Sequence, residues 1–198
     1  MTRAEARLFS ESVSDDFKIA VDHIDVPEDG DFELLKDDEF SKICAWHFYA
    51  IRNLADLNDS LYDPTWVAER LAIPTEVARD ALEILVDLKL IEISNEKFIR
   101  PKKPIRTSQD IDSISIQKYH RSILEKAAEM LPITSVEIRD YGSFTAACSA
   151  EMVPEIKELI REFRRELGEF VKSSQNPTQV FTFATQLFPV SNVEAVDS

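Results

Sequence analysis

Residues 63–92, DPTWVAERLAIPTEVARDALEILVDLKLIE, restrict the fold more than any other stretch of the chain. Asp63 followed by Pro64 is a strong helix start. The carboxylate can accept from orphan N–H groups at a helix N-terminus, and proline suits the first helical position, where its missing N–H has no partner to lose. The short helix PTWVAERLA buries Trp66 or Val67 together with Leu71. Ile73-Pro74 then turns the chain into a longer helix with Val77, Ala81, Ile84, Leu85 and Leu88 inward. Two β-prone runs, IEIS and KFIR, follow, joined at Asn95-Glu96, and asparagine tolerates the positive φ that a tight hairpin requires. Ahead of these elements, residues 40–57 carry two helical stripes: Ile43, Trp46, Ala50, Leu54 and Leu57, and beside them Cys44, Phe48, Ile51 and Ala55. Helix, helix, turn, helix, hairpin is the order of a winged helix, expected at 39–103. A first helix apolar on two stripes must be covered on two sides, which makes Cys44, Phe48 and Ile51 candidates for a domain or dimer interface.

RPKKPIRTSQD, residues 100–110, has two prolines and no apolar period, and supplies a linker at 104–110. Beyond it, at 111–190, the pattern predicts a second, α+β domain. A helix with Ile116, His120, Ile123, Ala127 and Met130 on one stripe ends at Pro132. ITSVEIRDYGSFTAACS then reads as a strand, bent at Gly142. Val153, Ile156, Ile160, Phe163, Leu167 and Phe170 mark the clearest amphipathic helix in the chain, with Pro154 in its first turn. TQVFTFATQLFPV reads as a second strand with Phe181, Phe183 and Leu187 on one face, and residues 191–198 form a tail. The expected fold class is thus α+β: a winged helix-turn-helix followed by a helix-strand-helix-strand domain. Two strands make a poor sheet. A third must come from elsewhere, either from the alternating FKIAVDHIDV at 17–26 or from pairing across a two-fold homodimer, and Phe181 and Phe183 join the interface candidates.

Charge narrows the partners. The net charge is −14, and residues 1–38 hold 12 acidic against 4 basic groups, so the whole-molecule field opposes a polyanion. No apolar run approaches the roughly 20 residues of a membrane span, and the N-terminus has no apolar signal core, so a cytoplasmic location without membrane contact is expected. Cys44 and Cys148 are too far apart to suggest a zinc site and read as small buried apolar groups, while His23, His47 and His120 are scattered and structural. Glu137 and Arg139 fall on one strand face as a solvated ion pair. Ser143, Thr145 and Cys148 have no histidine at a suggestive spacing, and three glycines leave no phosphate-cradling loop. No catalytic, metal or cofactor site is expected.

AWHFYAIRNLADL, DPTWVAERL, EVARDALEILVDLKLIE, YHRSILEKAAEML, EIRDYGSFTAACS and VFTFATQLFPV together resemble a bacterial family of regulator-like proteins of unknown function. The resemblance covers about residues 40–190 and implies a winged helix followed by a family-specific C-terminal domain. Members often carry an additional small helix-turn-helix ahead of the winged helix; residues 1–38 are too short and too acidic to be one.

Two functions compete. A transcriptional regulator would present Thr75 and Arg79 to base edges and Lys97, Arg100, Lys102 and Lys103 of the wing to phosphates, with binding weak or dependent on a homodimer. Against it, Glu76, Asp80, Glu83 and Asp87 would face the phosphates. The rival is a protein-interaction or assembly module that uses the winged-helix scaffold without binding DNA. A sensor role for the C-terminal aromatics is a further reading, but such a stripe is more often core.

Overall fold

The computed structural model describes residues 33–35, 37–101, 105–107 and 114–191. Its elements, in chain order, are β1 (Glu33–Leu35), α1 (Asp37–Lys42), α2 (Trp46–Leu54), α3 (Pro64–Leu71), α4 (Thr75–Asp87), β2 (Glu92–Ser94), β3 (Lys97–Ile99), β4 (Ile105–Thr107), α5 (Ile114–Met130) and α6 (Val153–Lys172), the last preceded by a 3-10 turn at Ala150–Met152. The fold is α+β, with helices predominating over two small two-stranded sheets.

The helix start read at Asp63 forms as the chemistry requires. The carboxylate accepts from the Trp66 N–H at 2.7 Å, and Pro64 sits in the first turn. Ala72 closes α3 in the left-handed region, φ 51°, and its N–H donates to the Ala68 carbonyl. The β2–β3 hairpin also follows its sequence signal. Asn95 and Glu96 both take positive φ, 50° and 63°, which matches the twist of the antiparallel ladder that pairs Ile93 with Phe98.

The core gathers α2, α3, α4 and the hairpin. Ile51, Val67, Ala78 and Phe98 are wholly enclosed, with Leu54, Leu82, Leu85 and Ile91 around them. The buried line of α4 runs through Ala78, Ala81, Leu82 and Leu85, whereas Val77, Ile84 and Leu88 of the expected stripe are half-buried. A period weighted by side-chain bulk selects Val77 and Ile84, but close packing of α4 on α3 favours the two alanines.

The helix expected over 40–57 is divided. It breaks between α1 and α2, where Ala45 is extended (φ −107°, ψ 147°), and the break lets Phe40 and Ile43 both enter the core. The two-sided cover that α2 requires comes from within the chain: α3 and α4 pack on one flank and α5 on the other. At the second seam the Tyr119 ring lies 4.7 Å from Tyr49 and 6.4 Å from Phe40, and the Lys126 ammonium sits 4.5 Å above Trp46. Burial pushes the Tyr119 hydroxyl up to about 12, and Tyr49 is driven up still more strongly by the same cause.

The two C-terminal strands are corrected. Residues 136–138 form a turn, and 139–148 and 175–190 carry no regular structure, because among the described residues neither stretch finds a strand to pair with. The candidate strand at 17–26 lies outside the described residues; β1 instead pairs in parallel with β4, Glu33 opposite Ile105. Cys148 is exposed and Cys44 only half-buried, so neither is the buried apolar group expected.

Two predictions follow from these packings. Asp63→Ala removes a cap hydrogen bond and should cost about 1 kcal/mol in urea unfolding; an unchanged midpoint would refute the capping role. His47, between Trp46 and Phe48, is held below its ordinary value of 6.5 by burial, and His120 shifts the same way through burial and the Arg164 guanidinium. Below that value the unfolded chain takes up protons that the folded one resists, so stability should fall as pH drops from about 7 towards 5.5. His47→Gln should flatten the profile of unfolding midpoint against pH, and an equally steep profile in that variant would discount the histidine.

Candidate nucleic-acid and partner interface

α4 and the β2–β3 hairpin hold most of the candidate contact residues. Thr75 is half-buried at the start of α4, and Arg79 is exposed one turn later. Glu76, Asp80, Glu83 and Asp87 are exposed on the same helix, so one cation stands among four carboxylates. Their field is felt locally: burial pushes the Tyr62 hydroxyl above its ordinary value, and Glu83 and Asp87 push it further.

The hairpin is folded back onto the loop between α2 and α3. Phe98 fills the gap, its ring 6.5 Å from Tyr62 and 6.3 Å from Trp66. The Tyr62 N–H donates to the Glu96 carbonyl at 2.7 Å, and the Ser60 hydroxyl donates to the Phe98 carbonyl. This docking carries the hairpin's cations onto acceptors. The Lys97 ammonium donates to the Asn58 carbonyl at 3.1 Å. The Arg100 guanidinium pairs with Asp56 at 2.9 Å and donates to Asn53 Oδ1 at 3.3 Å. Lys102 and Lys103 lie outside the described residues.

The acceptors were not singled out from sequence. A signal for them exists in NLADLND, where Asn53, Asp56, Asn58 and Asp59 crowd one short loop ahead of a basic hairpin. Asp59 pairs with Arg70, which also stacks on Trp66 at 5.1 Å and donates to the Thr178 carbonyl at 3.4 Å. With the Asn58–Asn176 contact at 3.3 Å, this ties the start of the last irregular segment to the α2–α3 loop. A cleft of about 280 Å³ opens beside the tie, lined by Leu54, Leu57, Arg70, Leu71 and residues 178–180.

The interface candidates separate into two groups. Phe48 and Ile51 belong to the core, and Cys44 donates its thiol to the Ser41 carbonyl at 3.2 Å. Phe181 and Phe183 are half exposed on residues 175–190, which make no backbone–backbone hydrogen bond among the described residues. Among the described residues no group of three or more metal-ligating side chains converges, and no helix is long and apolar enough to cross a membrane.

The Arg100–Asp56 pair is partly exposed, so a double-mutant cycle with Arg100→Ala and Asp56→Ala should give a coupling of about 0.2–1 kcal/mol that weakens with added salt. Additive single mutants would show that the guanidinium is free for other contacts.

A family model described as a domain of unknown function, DUF4423, matches residues 27–190. No curated protein and no solved structure matches the chain. The matched span takes in the core, the hairpin with its acceptor loop and both irregular C-terminal segments, and the chain therefore belongs to the DUF4423 family.

Proposed function

We propose that this chain is a protein-interaction module built on a winged-helix scaffold, with α2, α3 and α4 as its three helices and β2–β3 as its wing, and that it works without binding nucleic acid. The observation that carries this reading is the disposition of charge. A duplex is recognised first through its phosphates, and the cations that would meet them must be free to displace counterions. Here Arg100 is held by Asp56 and Asn53 and Lys97 by the Asn58 carbonyl, while α4 offers Arg79 against Glu76, Asp80, Glu83 and Asp87. An acidic helix beside a hairpin suits a partner with a basic face, where complementary potentials raise the association rate and fix the register. The two free thiols, Cys148 exposed, are compatible with a reducing cytoplasm.

A second reading, a bacterial transcriptional regulator, is favoured by one feature: Thr75 and Arg79 occupy the first turns of α4, where a recognition helix carries its base-reading side chains. Fluorescence anisotropy with a labelled random-sequence duplex separates the two. The interaction module should give no binding at low ionic strength. Binding whose logarithm falls linearly with the logarithm of salt concentration, and which Arg79→Ala weakens, would sink it in favour of the regulator.

A further inference from the structure

We infer that residues 139–148 and 175–190, with the Phe163 and Phe170 side of α6, form a two-fold interface with a second copy of this chain, in which each copy's unpaired segments add as strands to those of the other. This goes beyond the function proposed above and uses none of the α4 or hairpin residues.

Three observations meet on these segments. The first is backbone chemistry. Among the described residues no backbone–backbone hydrogen bond reaches 139–148 or 175–190, although Val180, Phe181, Thr182 and Phe183 make the second a good strand former and Tyr141, Phe144 and Thr145 give the first a short strand-prone core. Rows of free N–H and C=O groups are a template for strand addition from another chain.

The second is apolar area. Phe144 is 93% exposed, Phe170 76%, Phe188 68%, Phe163 55%, Phe181 54% and Phe183 47%. With about 200 Å² per buried phenylalanine, these six rings alone leave on the order of 800 Å² in water. That is roughly the 800 Å² per partner of a standard stable interface.

The third observation selects the occupant. The chain is 30% charged with a net charge of −14, so two copies repel each other over most of their surface. Residues 141–150 and 173–190 contain no charged side chain at all. Exposed strand edges are ordinarily guarded by charges, and here the guard is missing from most of both stretches, Arg139 and Asp140 standing only at the start of the first. A second copy supplies what these stretches need: neutral segments with their own free backbone rows and aromatic side chains. A two-fold axis lets each copy satisfy the other and closes the assembly. Both segments are held at their ends. The Tyr141 hydroxyl donates to the Ala127 carbonyl at 2.6 Å and Arg139 to the Leu131 carbonyl, while Asn176 is tied to Asn58 of the α2–α3 loop and the Thr178 carbonyl accepts from Arg70 of α3.

Light scattering on the full chain over a concentration series should give twice the 22.6 kDa chain mass. Phe144→Glu with Phe181→Glu brings four like charges together in the dimer and should raise its dissociation constant about a hundredfold, with helical circular dichroism retained. Hydrogen exchange keeps the test decisive if that variant does not fold. In the unmodified chain, amides of 139–148 and 175–190 should be protected at dimer concentrations and exchange freely on dilution. A monomer at every concentration, a double variant that dimerises as before, protection independent of concentration, or an open-ended larger assembly would each overturn the inference.

Discussion

Phe98, enclosed by Tyr62 and Trp66, sets the geometry on which the surface of the N-terminal half depends. Burying such a ring is worth about 1.5–3 kcal/mol, more than the ~0–1 kcal/mol of a partly exposed ion pair, so the apolar anchor decides where the hairpin lies and the charges follow. Ile93–Phe98 pairing fixes the register, and Lys97 and Arg100 then fall over Asn58 and Asp56. These two cations are consequently part of the hairpin's attachment. A phosphate would have to compete with acceptors already in place, in a field made unfavourable by α4.

That consequence was only half visible in the sequence. Local signals with a definite mechanism are realised in the fold: the Asp63 cap, the left-handed Asn95 and the long period of α6. Each depends on neighbours within a few residues. The division of the 40–57 helix was not legible, because Ile43, Cys44 and Ala45 continue the apolar spacing and only the demand that Phe40 and Ile43 share one core breaks it. The partners of Lys97 and Arg100 stand 39 and 44–47 positions earlier in the chain, and no periodicity spans that distance. The residues of the candidate surface could be read from the sequence, but their engagement could not.

The doubly apolar first helix illustrates the same limit from another side. Two stripes on α2 require two covers, and the sequence leaves open whether the second is a neighbouring domain or another subunit. Tyr119 answers for Phe40 and Tyr49, and Lys126 for Trp46, so α5 supplies the cover within one chain. Most of the large apolar side chains left exposed lie instead in the C-terminal half, Phe144, Phe163, Phe170, Phe181 and Phe183 among them.

There the unmet requirement is of a different kind. An uncovered helix stripe loses hydrophobic stabilisation in proportion to its area, whereas a strand without a neighbour loses its entire ladder, and with it the reason to be a strand. Residues 178–185 have strand composition without strand structure, which is what strand propensity gives in the absence of a neighbour: it describes fit to a pleated, half-buried surface rather than an intrinsic backbone preference. The helices ahead of them, α5 and α6, satisfy their own hydrogen bonds and form regardless. Pairing would convert this stretch and cover Phe163 and Phe170 in the same step, so strand formation and association become one cooperative event.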